Sequence, residues 1–408
     1  MDRRDAEALD AADPLAKFRE AFDLPEGTIY LDGNSLGPLP RATATRLTQV
    51  MREEWGHGLI TSWNLAGWID APQRVGDKIA QLIGAKANEV VVADSTSINL
   101  FKLAAGALSL RPGRRTLLTE SDNFPTDIYV LEGLAALSGA TLKVVAPDEI
   151  VSAIDDETAA LVLTHVHYRS AQRHDMAGVT AAAHARGALA LWDLSHTAGA
   201  LAVDLNGARA DLAVGCGYKY FNGGPGAPAF LFVAERHQGA IRSPLSGWMG
   251  HAAPFAFEPH YRPAPDIRAQ LCGTPAILGL AALEEGLNLL LAAGPQAIEA
   301  KGLALCDLFV RLVEARCAGY GLNLAGPRKM SSRGLHVSWS HPEGYGLIQA
   351  LIARGVIGDF RDPDIARFGF SPLFLRYVDV WDAVEMMADV LTTGAYQKAE
   401  YRQRARVT

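Results

Sequence analysis

Cys216-Gly-Tyr-Lys-Tyr-Phe-Asn-Gly-Gly-Pro-Gly226, which follows the short run Asp211 to Val214, decides how the chain is read. Most lysines sit on a solvated helix face. Lys219 instead lies between Tyr218 and Tyr220 with glycines on both sides. Small residues let the backbone approach a ligand closely and leave the amine directed into a cleft. An amine desolvated near a cationic ring loses proton affinity and becomes a nucleophile toward aldehydes. The stretch reads as the lysine turn of an enzyme that stores an aldehyde cofactor covalently.

Upstream, Ala190-Leu-Trp-Asp-Leu-Ser-His196 is an apolar run that ends in Asp193, with His196 three residues later. Pyridoxal phosphate (PLP) needs a carboxylate beside its pyridine nitrogen, so that the ring stays protonated and draws electrons from the substrate carbon. Asp193 fits that position, and His196 would lie against the ring or orient Asp193. Read alone, Asp193 is as readily a helix cap, and a lone histidine is usually structural. Asp94-Ser-Thr-Ser-Ile-Asn99 opens a helical stretch, and the hydroxyls and free N–H groups of Thr96 and Ser97 suit a phosphate. Simple N-capping explains the same residues equally well. In Asn123-Phe-Pro-Thr-Asp127, Phe124 is placed to stack on a ring and Asp127 to support it, although an aromatic at a strand end is more often core.

Working outward, seven apolar runs alternate with amphipathic stretches: Glu89 to Ala93, Arg115 to Thr119, Leu142 to Val145, Leu161 to Thr164, Leu189 to Trp192, Leu212 to Val214 and Ala229 to Val233. Strands apolar on both faces with helices between them imply an α/β fold with a mostly parallel seven-stranded sheet. Ligands of such sheets sit beyond the carboxyl ends of the strands. From Pro275 the texture changes to long helical patterns, Ala276 to Leu291 and Gln296 to Cys317, and then to short mixed elements, as in a smaller α+β domain. The expected division is an N-terminal arm over 1–43, contributing to the small domain, a large PLP-binding domain over 44–274 and a small domain over 275–408. Prolines crowd 244–275 and discourage regular structure there.

With 408 residues, 49% of them hydrophobic and 20% charged, the chain has material for two cores. A net charge of -7 argues against a nucleic-acid partner. Met1 to Leu15 lacks the apolar stretch of a secretory signal, which makes the cytoplasm the expected compartment, and no uncharged apolar run is long enough to span a membrane. Cys216, Cys272, Cys306 and Cys317 form no CxxC pair, so no metal site and no disulfide framework is expected.

The order of a hydroxyl-bearing phosphate loop, a stacking aromatic, Asp-x-x-His and a lysine turn resembles the fold-type I, class V aminotransferase superfamily. Narrower strings resemble the kynureninase family within it across nearly the whole chain: Tyr30-Leu-Asp-Gly-Asn-Ser-Leu-Gly37, Ser97-Ile-Asn-Leu-Phe101, Phe124-Pro-Thr-Asp127, Asp193-Leu-Ser-His196, Gly217-Tyr-Lys-Tyr220 and Gly247-Trp-Met-Gly-His251.

That resemblance implies PLP held covalently by Lys219, with Asp193 at the ring nitrogen and Phe124 stacked on the ring. Thr96, Ser97, Tyr218 and Trp248 would surround the phosphate, with Asp127, His196 and Thr274 also at the cofactor. Arg367 falls where the family binds the amino-acid carboxylate, a task for which a planar guanidinium is suited. Trp63, Gly273 and Thr274 fall where it meets the substrate's aryl ring, with His57 as a polar alternative nearby. The implied reaction is hydrolysis of the Cβ–Cγ bond of L-kynurenine to anthranilate and L-alanine, in tryptophan catabolism or NAD biosynthesis. The pattern leans away from 3-hydroxykynurenine, the source of 3-hydroxyanthranilate. Lys219 would move the Cα proton and Tyr218 the protons at Cβ and the γ-diol. A homodimer is expected, with 248–274 reaching across. The rival within the superfamily is a cysteine desulfurase or related lyase using Cys272, and outside it a PLP-binding module without turnover.

Overall fold

The computed structural model describes residues 2–404, so residue 1 and residues 405–408, the outer ends of the expected first and last domains, lie outside it. Seven strands build the central sheet: β1 (Val90–Val92), β2 (Thr116–Glu120), β3 (Thr141–Val145), β4 (Thr158–Thr164), β5 (Leu189–Asp193), β6 (Leu212–Gly215) and β7 (Phe230–Val233). Their order is β1-β7-β6-β5-β4-β2-β3. β7 runs antiparallel to both β1 and β6, and the other pairings are parallel. The expected α/β sheet is therefore present, and its strands coincide with the seven apolar runs to within a few residues.

Period-two alternation explains why both faces are apolar. Val91, Val162, Leu191, Val214 and Leu231 pack on one side against Leu100, Leu103 and Leu131 of the helices Thr96–Leu110 and Pro125–Ser138. Val90, Val92, Leu161, Leu163, Trp192, Phe230 and Phe232 point to the other side, toward Val75, Ile79, Leu283 and Leu287. That second cluster continues through the helices Ile277–Ala293 and Pro295–Arg316 to Phe309 and Phe368. The two helices meet at an 85° bend, and among the described residues no single helix is long and apolar enough to cross a membrane.

A four-stranded sheet, in the order Asn323–Leu324, His336–Ser340, Ile365–Gly369 and Asp359–Arg361, lies beyond those helices. The N-terminal residues fold onto it: helix Arg3–Ala11 packs on Tyr377–Thr393, and Ile29–Tyr30 pairs in parallel with Val356–Ile357. Asp32 then bridges to Gly369. Five residues on, the Gly37 N–H donates to the Tyr218 carbonyl at 2.8 Å. A Cβ at Gly37 would stand 2.4 Å from the Lys219 carbonyl, so only glycine lets this arm lie against the lysine turn. The proline-rich stretch is irregular as expected, broken into the short turns Trp248–Gly250, Pro254–Ala256 and Ile267–Gln270.

Candidate active site

Chain direction brings the chemistry together. β4, β5 and β6 are parallel neighbours, so the residues after their carboxyl ends converge. Asp193 closes β5, and Lys219 lies in the turn after β6. The Lys219 Nζ stands 3.0 Å from His196 Nε2. An ammonium has only donors, so Nε2 accepts and the ring proton sits on Nδ1. Burial, and after it the positive charge of Lys219, holds the His196 pKa well below 6.5, which keeps the imidazole neutral.

Two carboxyl groups share this interior. Asp193 accepts the Ser195 N–H at 2.7 Å, and burial raises its pKa while Ser195 and Lys219 pull it back. Asp127 is raised further, first by burial and then by the Asp193 charge, and is offset only by Lys219 and Thr164. Two such acids cannot both ionise cheaply, and Asp127 is the one that keeps its proton. It hangs from the first turn of Pro125–Ser138, whose start is fixed by Asn123: its Oδ1 accepts from the Thr164 hydroxyl at 2.5 Å and from the Phe124 N–H at 2.7 Å. Phe124, 37% exposed, meets Tyr168 edge-on at 5.2 Å.

Thr96 and Ser97 open the helix Thr96–Leu110, with Ser95 as its cap and Asp94 before it in the left-handed region at φ 50°. Beneath them Lys102, fully buried, donates to Asp94 Oδ2 at 2.7 Å and to the Gln270 carbonyl at 2.8 Å. Sequence reading missed this lysine. Its only signal was a charge on an otherwise apolar helix.

Tyr218 is half-buried beside the Cys216 thiol, and burial drives its phenol pKa far up. Arg367 is buried and heavily engaged. Its Nε and Nη2 donate to Asp359 at 2.8 and 2.5 Å, Nη2 also to Ser35 Oγ at 2.9 Å, and Nη1 to the Tyr168 carbonyl at 2.6 Å.

Trp63 and Trp248 stack edge-on at 6.4 Å and, with Ile60, Ile69, Phe255 and Phe257, line a cavity of about 590 Å³. Glu54 holds the loop that carries Trp63, accepting from Trp68 Nε1 at 2.7 Å and from Arg46 at 2.5 Å. Gly273 and Thr274 stand exposed just beyond Cys272. His57 is 77% exposed, and its ring pairs with Glu53 at 2.9 Å, one turn back in the π-helical segment Val50–His57.

The interior suits PLP on its own terms. His196 Nδ1 and Asp127 Oδ2 are buried without a hydrogen-bond partner among the described residues, an arrangement that natural interiors avoid unless a bound group supplies one. A lysine, two carboxyl groups, an aromatic face and a helix N-terminus are the donor and acceptor set that a phosphorylated pyridine aldehyde requires. Cys272, by contrast, directs its thiol to the Ser246 carbonyl at 4.0 Å and lends its own carbonyl to Met249 N–H at 3.2 Å, which ties it down rather than leaving it on a mobile loop. Among the described residues no cluster suited to a metal ion occurs.

The chain matches the family models for the aminotransferase class-V domain over residues 29–336 and for the kynureninase C-terminal domain over residues 298–387. It is 54% identical to the kynureninase of Burkholderia mallei strain SAVP1 over 413 aligned residues, covering 100% of this chain and 99% of that protein. The kynureninase of Pseudomonas fluorescens is 51% identical, with the same coverage. Among solved structures, the apo cysteine desulfurase of Thermococcus onnurineus NA1 superposes with a TM-score of 0.78 at 17% identity, over 92% of this chain and 98% of that one. A C-DES mutant with glycine covalently linked to the PLP cofactor also reaches 0.78, at 16% identity, over 91% and 99%. Likeness at that identity shows the shared fold alone, whereas the full-length relatives decide the family: the chain is a member of the kynureninase family, built on the PLP fold-type I scaffold of class V aminotransferases.

Proposed function

We propose that the protein is a PLP-dependent hydrolase that splits the Cβ–Cγ bond of L-kynurenine, releasing anthranilate and L-alanine. The observation that carries this reading is the meeting of Lys219, His196 and Asp193 in one buried pocket, in a chain half identical to kynureninases along its whole length. When bound, PLP supplies an electron sink that makes the substrate's Cα proton removable and lets the Cβ–Cγ bond break after water adds to the γ-carbonyl.

The chain's own groups do the rest. Asp193 would pair with the ring nitrogen and favour its protonated form, Phe124 would offer its face to the ring, and Thr96, Ser97 and Trp248 would hold the phosphate. Lys219 would hold the cofactor covalently, and its amine would carry the Cα proton. Tyr218 serves as the acid at Cβ and the γ-diol, and its buried phenol is protonated at neutral pH, as that role requires. Arg367 fixes the substrate carboxylate. Trp63 covers the aryl ring, with Gly273 and Thr274 leaving room for it.

The protein acts in the cytoplasm as a homodimer. The rim of the tryptophan cavity supports a second copy, because Ile60, Phe255 and Phe257 are 76, 61 and 73% exposed and exposed apolar patches of this kind mark interfaces. Incubating the purified, PLP-loaded protein with L-kynurenine and with 3-hydroxykynurenine, and following anthranilate, 3-hydroxyanthranilate and alanine by chromatography, tests the activity. No product from either refutes it.

A further inference from the structure

A substrate carboxylate is gripped by two parallel hydrogen bonds when a guanidinium offers a free edge. Arg367 does not. Of its five N–H groups, two are on Asp359, one on Ser35 and one on the Tyr168 carbonyl, leaving a single donor. A second guanidinium stands beside it. Arg361 lies two residues after Asp359 on the same strand, and its Nη2 reaches the same Asp359 Oδ2 at 2.6 Å that Arg367 holds. Asp359 needs no second cation, since Arg367 already pairs with both of its oxygens. Arg361 Nε is buried and has no partner among the described residues. Its side chain is 39% exposed, which leaves the guanidinium open to an arriving ligand, and its positive charge is felt by His196, Tyr218 and Asp32.

We infer that Arg361 is a substrate-binding residue that supplies the second guanidinium of the α-carboxylate site, with Asp359 holding the two arginines apart and Arg367 contributing only its remaining donor. The inference rests on the amino-acid-cleaving function proposed above and assigns a residue to the substrate's charge. Leaving an Nε buried and unpaired is costly, and an arriving carboxylate would satisfy it.

The test compares the parent with Arg361→Gln and Arg361→Lys, each loaded with PLP. PLP affinity of the apo-proteins, read by absorbance titration, is expected to stay within about twofold of the parent. KM for L-kynurenine is expected to rise about tenfold or more in Arg361→Gln, the range lost with one charge-assisted bond, with kcat changed far less and with partial recovery in Arg361→Lys. Binding of kynurenine carboxamide, read from the spectral change of the loaded protein, should be equally weak in parent and variant. An unchanged KM, equal weakening of acid and amide, or loss of PLP in place of substrate overturns the inference. If the parent turns over neither kynurenine, the proposed activity fails by itself, and L-alanine binding to parent and variants still decides the role of Arg361.

Discussion

Asparagine for aspartate is the same chemical change at residues 127 and 193, yet the two sites should respond in opposite directions. Asp127 is buried, with the Asp193 charge beside it, and keeps its proton. In the unfolded chain its pKa is near 3.8. Between that value and its raised folded pKa the native state binds more protons than the unfolded one, so Asp127 costs stability increasingly as pH rises. Roughly three pH units separate 3.8 from neutrality, and at about 1.4 kcal/mol each the ceiling is ~4 kcal/mol at pH 7. Asp127→Asn keeps the shape and removes that cost. Urea denaturation of the apo-protein should show the variant more stable at pH 7, with a smaller gain at pH 5. Turnover should stay within about threefold, because a neutral group replaces a neutral group at a cost below about 1 kcal/mol. Asp193→Asn removes the carboxylate that the ring nitrogen needs, weakening PLP by about 10- to 100-fold, as losing a charge-assisted bond does, and abolishing most turnover. A variant at 127 that is less stable than the parent at pH 7, gains equally at pH 5 and 7, or loses as much activity as the one at 193 refutes the assignment.

Asp32 is raised to about 7 by burial and by Asp359; above that pH it ionises and competes for Arg367 and Arg361, so KM for L-kynurenine should climb several-fold from pH 6 to 8, and a slope that survives Asp32→Asn would exclude this cause. Lys102→Met strands a partly exposed Asp94 and the Gln270 carbonyl, and should cost about 3 kcal/mol, the low end for a broken buried pair, together with weaker PLP binding. A denaturation midpoint equal to the parent's would contradict it. Gly286→Ala would set a Cβ 2.0 Å from the Phe221 carbonyl at the back of the lysine turn. Backbone there cannot yield cheaply, so a loss of about 3 kcal/mol and incomplete PLP loading are expected, and normal loading would show that the helix Ile277–Ala293 can shift without moving Lys219.

The sheet was legible because six of its strands are buried on both faces and so read as short apolar runs, while the edge strand Thr141–Val145 is partly exposed and carries Lys143. Asp193 and Lys219 were legible for a related reason: a charged residue that ends such a run, or sits in the turn just after it, falls at the strand ends. Interactions between distant segments gave no comparable signal. Asp32, Asp359, Arg361 and Arg367 come from the N-terminal arm and two strands more than 300 residues away, and only the fold puts them together. Nearness to Trp63 in sequence gave no direction for His57, whose ring a π-helical turn carries back to Glu53.

One physical circumstance links the parts of the site that could be read with those that could not. Lys219, Asp193, Asp127, His196 and Arg367 are ionisable groups in a largely dry interior, with Arg361 at its edge, and isolated charges there are expensive. The protein tolerates them by keeping two neutral, His196 and Asp127, and by pairing the rest through sharing: Asp359 between two arginines, Lys219 between His196 and the carboxyl groups. Polar atoms without a partner among the described residues remain at His196 Nδ1, Asp127 Oδ2 and Arg361 Nε. A bound ring and an amino-acid carboxylate are groups of the kind that would supply the missing partners. Any gain from this pairing is already contained in Kd, so the stability gained on PLP loading should equal what its concentration over Kd predicts for the parent and for Asp127→Asn alike, and a mismatch between the denaturation shift and the titrated affinity would mean that PLP also binds the unfolded chain.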